Sequence, residues 1–156
     1  MKGFRVSSDP ADLQFERVHN FLSKHAYWCL GIPASTLKKA LAGSLCFGVY
    51  EDKPGRSQAG FARVVTDGAT FAWLCDVYVE EEFRGKGLAT GLIECVVAHP
   101  QLKGLRRFLL ATKDAHGLYK KFGFQVTATP NYWMEIKDNE LYQKQAGTEY
   151  RCLAKD

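Results

Sequence analysis

From Val77 to Thr90 the chain reads Val-Tyr-Val-Glu-Glu-Glu-Phe-Arg-Gly-Lys-Gly-Leu-Ala-Thr. An apolar run enters a turn with two glycines and two cations, and a helical pattern begins at once. Such a turn gathers unpaired backbone N–H groups at the positive end of a helix dipole. It is an anion cradle, in which glycine lets the backbone approach phosphate oxygens and Arg84 and Lys86 add charge. Two phosphate motifs are excluded here. A P-loop needs Ser or Thr after Gly-Lys, but Gly87 follows Gly85-Lys86; a dinucleotide fingerprint beginning at Gly85 needs a third glycine where Thr90 stands. The cysteines, at 29, 46, 75, 95 and 152, are odd in number and lack CxxC spacing, which predicts neither a disulfide framework nor a metal site. They read as reduced, mostly buried small hydrophobes.

The elements around this turn follow from periodicity. Phe4–Ser7 reads as an edge strand. Asp9-Pro10 supplies an N-cap and a first-turn proline for a helix to about His25, with Phe15, Val18, Phe21, Leu22 and Ala26 on one face. The connection from Tyr27 to Pro33 is unusually apolar, and a second helix runs from Pro33 to Ala42, stopped by Gly43. Strands are predicted over Leu45–Glu51, Ala59–Thr66 and Ala69–Glu80, joined by Lys53-Pro54-Gly55-Arg56 and Asp67-Gly68, hence antiparallel. A helix over Leu88–His99, ended by Pro100, and a strand over Arg107–Ala111 then form a right-handed parallel crossover. A short helix, Ala115–Phe122, stops at Gly123, and Phe124–Thr127 and Tyr132–Ile136 are expected to close the sheet. The fold class is α+β, with a mixed, mostly antiparallel central sheet flanked by helices on both faces.

Arg84 through Gly87 to Ala89 spells Arg-x-x-Gly-x-Ala, which resembles the pyrophosphate loop of the GCN5-related N-acetyltransferase (GNAT) superfamily. A second segment, Leu118-Tyr119-Lys120-Lys121-Phe122-Gly123-Phe124, resembles that superfamily's LYxKxGF signature, and the order of elements over residues 4 to 136 matches too. The chain departs from the pattern at Glu81, where the loop's approach usually carries proline, and at Thr112, where Asn is common. The resemblance implies an N-acetyltransferase domain over residues 1–136 and leaves 137–156 as a tail or docked terminal segment.

What the resemblance further implies is acetyl transfer from acetyl-CoA to a primary amine of a small molecule or peptide, by direct attack in a ternary complex. The central strand would bulge and splay from its parallel neighbour. Val77 and Val79 would offer backbone contacts to the pantetheine arm, Arg84, Gly85, Lys86, Gly87, Leu88 and Ala89 would hold the pyrophosphate, and Thr112 would make a polar contact. Tyr119 matches the general acid: its phenol, with a reference pKa near ~10 against ~8.5 for a thiol, stays protonated and can protonate the leaving sulfur. Asp76 is the candidate base, in an apolar sequence context (Leu74, Cys75, Val77) that would raise its pKa. Glu80 is the alternative to it, His116 on a neighbouring helix face could assist, and Cys75 reads as core because no His is placed beside it. Tyr27, Trp28, Trp73 and Trp133 are candidate aromatic walls for the acceptor, and an acidic Asp76 would favour a cation there.

Composition bounds the rest. With 156 residues there is room for one domain, and 46% hydrophobic with 24% charged residues is a globular profile. A net charge of +4, dispersed as pairs such as Lys38-Lys39, argues against a nucleic-acid binder and suits an anionic small ligand. The start, Met1-Lys2-Gly3-Phe4-Arg5, carries no apolar stretch behind its charges, which predicts no signal peptide and a cytoplasmic location. No membrane association is expected, and the protein is expected to be a monomer or homodimer. The competing reading is a CoA-binding sensor or subunit without turnover, since both motifs would survive in it.

Overall fold

A computed structural model describes residues 1–145. Five strands form one sheet in the order β1 (Phe4–Ser7), β2 (Leu45–Glu51), β3 (Gln58–Thr66), β4 (Phe71–Val79) and β5 (Arg107–Leu110). The first four are antiparallel neighbours, and β5 lies parallel to β4 after a crossover through α3 (Leu88–Ala98). One core cluster joins Phe47, Val64, Ala72 and Leu74 of the sheet to Leu92, Ile93 and Val96 of α3. The other joins Phe61 and Tyr78 to Val18 and Leu22 of α1 (Phe15–Lys24) and Leu37 and Leu41 of α2 (Ala34–Ala42). Helices thus cover both faces, as the sequence predicts.

A β-bulge in β4 shapes everything that follows. Phe61 pairs with Tyr78 and Arg63 with Cys75, so one residue of β3 faces two of β4, Asp76 and Val77. The extra residue inverts the strand's parity. Ala72 and Leu74 before the bulge, and Val77 and Val79 after it, all pack into the α3 cluster, whereas Tyr78 packs with α1. Asp76 itself sits at φ 53°, the left-handed region that Asp tolerates better than most residues. Pairing of β4 with β5 stops at Leu74–Leu110, so from Cys75 to Val79 that side of β4 has no strand beside it among the described residues.

Several expectations need correction. Asp9 does cap a turn, accepting from Ala11 N at 2.9 Å, but that turn is a single 3-10 turn, Pro10–Asp12. The chain then straightens because Gln14 and Gln58 bond reciprocally, each backbone N–H to the other's side-chain oxygen at 2.9 and 3.0 Å, and α1 starts only at Phe15. The closing strands Phe124–Thr127 and Tyr132–Ile136 do not form. Pro130 opens a 3-10 turn, and Tyr132, Met134 and Ile136, whose alternation reads as a strand, are 77%, 97% and 107% exposed. An alternating pattern makes a strand only when an edge pairs with it, and this segment has no ladder partner. Cys95 is exposed, unlike buried Cys29. Of the tail, Leu141–Gln145 forms a short helix, α5, whose Tyr142 packs on the second cluster; residues 146–156 lie outside the described residues.

Candidate active site

Beyond Leu74 and Leu110 a cleft of about 580 Å³ opens between β4 and the loop that follows β5. Its lining brings together Tyr27, Trp28, Trp73, Asp76, Val77, Thr112 and Tyr119, residues that lie up to 92 positions apart in the chain. The backbone of β4 at the mouth of this gap lacks a ladder partner among the described residues, and such groups demand hydrogen bonds from something else. An extended amide-bearing ligand fits that demand.

The glycine-rich turn follows directly on β4 in the chain. Glu81–Phe83 forms a 3-10 turn where the superfamily pattern has proline, and Gly85 and Gly87 follow at φ 76° and 73°. A β-carbon at either glycine would meet nothing within 4 Å, so the space over the turn is open. The first backbone bond of α3 runs from Gly91 N to Gly87 O, and no side chain caps the helix. The amides of Leu88, Ala89 and Thr90 therefore have no helical acceptor. This is a fitting cradle for a diphosphate. The two cations are arranged differently from the expectation that both face an anion. Arg84 Nε donates to Val79 O at 3.1 Å, which occupies a carbonyl expected to serve the pantetheine arm, and Lys86 Nζ lies 5.2 Å from the centroid of Phe83. Their charge still lies beside the turn, with Arg84 folded back to brace it.

Tyr119 is held by the end of its own helix, α4 (His116–Lys120). Gly123 at φ 88° lets Gly123 N bond Lys120 O at 3.2 Å and Phe124 N bond Tyr119 O at 3.3 Å, a Schellman pattern. The rings of Tyr119 and Phe124 meet edge-on at 6.0 Å, the apolar contact that accompanies such a stop. Hence the physical sense of the Leu-Tyr-x-x-x-Gly-Phe spacing: the glycine ends the helix and the following Phe fixes the tyrosine. Only 7% of Tyr119 is exposed; burial, and then the nearby carboxylate of Asp114, push its phenol above the usual range, so it stays protonated. At the helix entrance, Thr112 Oγ1 accepts from Ala115 N at 3.0 Å and keeps its own hydroxyl proton to donate.

Asp76 is where the sequence reading differs most from the structure. Its carboxylate meets no apolar pocket. Oδ2 accepts from Arg63 Nε at 2.7 Å and Oδ1 from Trp28 Nε1 at 3.1 Å. Both oxygens are engaged, although each retains a second acceptor direction. Trp28 packs edge-on against Tyr27 at 5.1 Å, and Lys113 Nζ stands 5.9 Å from the Tyr27 ring, so the loop before α2 meets the loop after β5 across the mouth of the cleft. Trp133 is elsewhere, under the Arg107 guanidinium at 4.9 Å. Glu80 is paired with Arg17 at 3.5 Å, and His116 lines a separate cavity of about 270 Å³ on the far side of Tyr119. The sequence reading did not find Arg63, Lys113, Asp114 or Lys137. Arg63 carries a signal only in hindsight, as a cation inside an apolar strand; the others are ordinary loop charges.

Comparison with known proteins accords with this geometry. A family profile described as "Acetyltransferase (GNAT) domain" matches residues 42–126. A provisionally named acetyltransferase of Gibberella zeae is 34% identical over 76% of this chain and 76% of its own length. A Xanthomonas campestris crystal structure, provisionally described as an acetyltransferase of the GNAT family, superposes at TM-score 0.87 with 44% identity, covering 92% of this chain and 99% of that one. An acetyl-CoA-bound structure of a predicted acetyltransferase from Clostridium acetobutylicum shares the fold at TM-score 0.59 and 18% identity, over 86% and 94% of the two chains. The chain belongs to the GNAT acetyltransferases and is an acyltransferase enzyme.

Proposed function

We propose that the protein moves an acetyl group from acetyl-CoA to a primary amine of a small molecule or peptide, by direct attack within the cleft between β4 and β5. The observation that carries this reading is the convergence of protonated Tyr119 and the unpaired edge of β4 on one gap, with the open cradle at Gly85–Gly87 following that edge in the chain. Acetyl-CoA supplies the activated acyl group and a thiol leaving group. The amides of Leu88, Ala89 and Thr90 hold its diphosphate, Gly85 and Gly87 let the backbone approach, and Arg84 and Lys86 add positive potential. Val77 offers main-chain groups to the arm, with Val79 restricted to its N–H side by the Arg84 bond. The hydroxyl of Thr112 donates along the same path.

Tyr119 gives its proton to the departing sulfur. Asp76, fixed facing the cleft, orients the incoming nitrogen and takes its proton once attack has made that nitrogen acidic, a role that does not need an elevated carboxylate pKa. Tyr27, Trp28 and Trp73 form the acceptor wall. Holding both reactants in one cleft supplies much of the rate, since correct placement replaces an encounter. We assign this activity to residues 1–136, working in the cytoplasm as a monomer or homodimer, with α5 packed against the acceptor side. No helix among the described residues is long and apolar enough to cross a membrane.

The test is thiol release from acetyl-CoA with a panel of spermidine, L-lysine, tyramine, glucosamine and an octapeptide with a free N terminus, with mass detection of the acetylated amine. Equimolar thiol and acetyl-amine for at least one member is the expected result. Binding of acetyl-CoA with no turnover on any amine would contradict the proposal and favour a CoA-binding subunit.

A further inference from the structure

Asp76 is the only non-glycine residue at positive φ among the described residues, a conformation that side chains adopt only when their surroundings hold them there. The partners that hold it there form a continuous chain. Arg63, directly across the ladder from Cys75, reaches Asp76 through Nε and Ser44 Oγ through Nη1 at 3.2 Å, while Ser44 Oγ donates to Ala40 O at 2.8 Å in α2. Asp76 passes the restraint on to the Trp28 indole. The ion pair is largely buried, with the side chains of Arg63 and Asp76 only 18% and 9% exposed. Around it stand the thiols of Cys29, Cys46 and Cys75, which burial pushes up to about 12, 11 and 12, and the phenol of Tyr142, also raised by burial. All four are neutral at physiological pH, so the guanidinium is the charge that compensates the carboxylate.

We infer that Arg63 is a positioning residue for the acceptor: it locks Asp76 in the bulge, and Asp76 in turn holds Trp28 as a wall of the cleft. The inference rests on the proposed acetyl transfer and adds which residue outside the cleft lining governs acceptor affinity. Arginine suits the task because its planar fork serves Asp76 and Ser44 together, whereas a lysine ammonium offers one point of charge. Without Arg63 the buried carboxylate is uncompensated and must turn toward water, which releases the indole. The glycine-rich turn proposed to hold acetyl-CoA takes part in none of these bonds.

Two readouts separate the clamp from the chemistry. In a Trp73→Phe/Trp133→Phe background Trp28 is the sole tryptophan, and Arg63→Ala is expected to red-shift its emission and raise its quenching by acrylamide, with circular dichroism unchanged. In the otherwise native enzyme, Arg63→Ala is expected to raise acceptor KM about tenfold or more, the scale of a lost charged hydrogen bond. Affinity for acetyl-CoA, measured by calorimetry, stays within about threefold. Arg63→Lys recovers part of both effects. Should Arg63→Ala not fold, Trp28→Phe leaves the ion pair intact and is expected to raise acceptor KM alone. Unchanged Trp28 emission and unchanged acceptor KM would overturn the inference, and so would a parallel loss of acetyl-CoA affinity, which marks a merely structural residue. The optical readout needs no acceptor; absence of transfer in the native enzyme would therefore count against the function and leave the clamp separately judged.

Discussion

At the scale of single residues, Tyr119 and Asp76 differ in how openly the sequence declares them. Tyr119 sits in a spacing whose glycine and aromatic neighbours have a mechanical purpose, so the residue and the way it is held were legible together. Asp76 was legible as a residue but not in its surroundings. Its flanking residues are apolar, yet the carboxylate is set by Arg63, thirteen positions away. Tyr119→Phe keeps the ring and removes the proton. Turnover is expected to fall about 100-fold with acetyl-CoA affinity retained, the usual range for loss of a general acid. Calorimetry beside steady-state kinetics checks this, and equal loss of binding would make the hydroxyl structural. Because burial holds the phenol above its ordinary 10.0, the native enzyme should keep its acid form and show no alkaline loss of kcat from this group below pH 10.

Elements obey their own logic. The strands β2, β3 and β4, the helix α3 and the parallel β5 were readable because alternation, turn residues and helical periodicity agreed along each of them. The bulge was expected only through the family resemblance, since no residue marks its position: no glycine or proline stands between Leu74 and Val77, and a one-residue insertion is located only when both faces of the strand find their cores. The false closing strands show the converse. Tyr132, Met134 and Ile136 alternate correctly, but alternation cannot supply an edge to pair with. One element-level prediction concerns the stop of α4. Gly123 at φ 88° permits the bonds that hold Tyr119, so Gly123→Ala is expected to cost about 1 kcal/mol in chemical denaturation. It should lower kcat by more than that loss of folded protein explains, because the Tyr119 ring shifts; a variant with lower stability and full kcat would refute the link.

For the whole molecule, the cysteines and tyrosines place a limit on alkaline stability. In the folded state the thiols of Cys29, Cys46 and Cys75 ionise only near 12, 11 and 12, against an ordinary 9.0, and burial holds Tyr50 near 12 against 10.0. The sign follows directly: the unfolded chain loses protons first, so this part of the stability is complete below pH 9 and declines as pH rises through 9 to 12. Urea midpoints should be flat from pH 7 to 8 and fall steadily above 9, and a midpoint that rises above pH 9 would contradict the burial of these groups. One observation links this core to the cleft. The same thiols surround the Arg63–Asp76 pair, so alkaline loosening should begin on the acceptor side.

The central claim is that the gap between β4 and β5 is where acyl group and acceptor meet, with Tyr119 at the leaving sulfur. A crystal structure of the protein with CoA tests it most directly. The prediction is a diphosphate on the amides of Leu88 to Thr90, an arm lying along β4 past Val77, and the sulfur within about 3.5 Å of the Tyr119 hydroxyl. A sulfur in the separate cavity beside His116, or a diphosphate away from Gly85–Gly87, would contradict it.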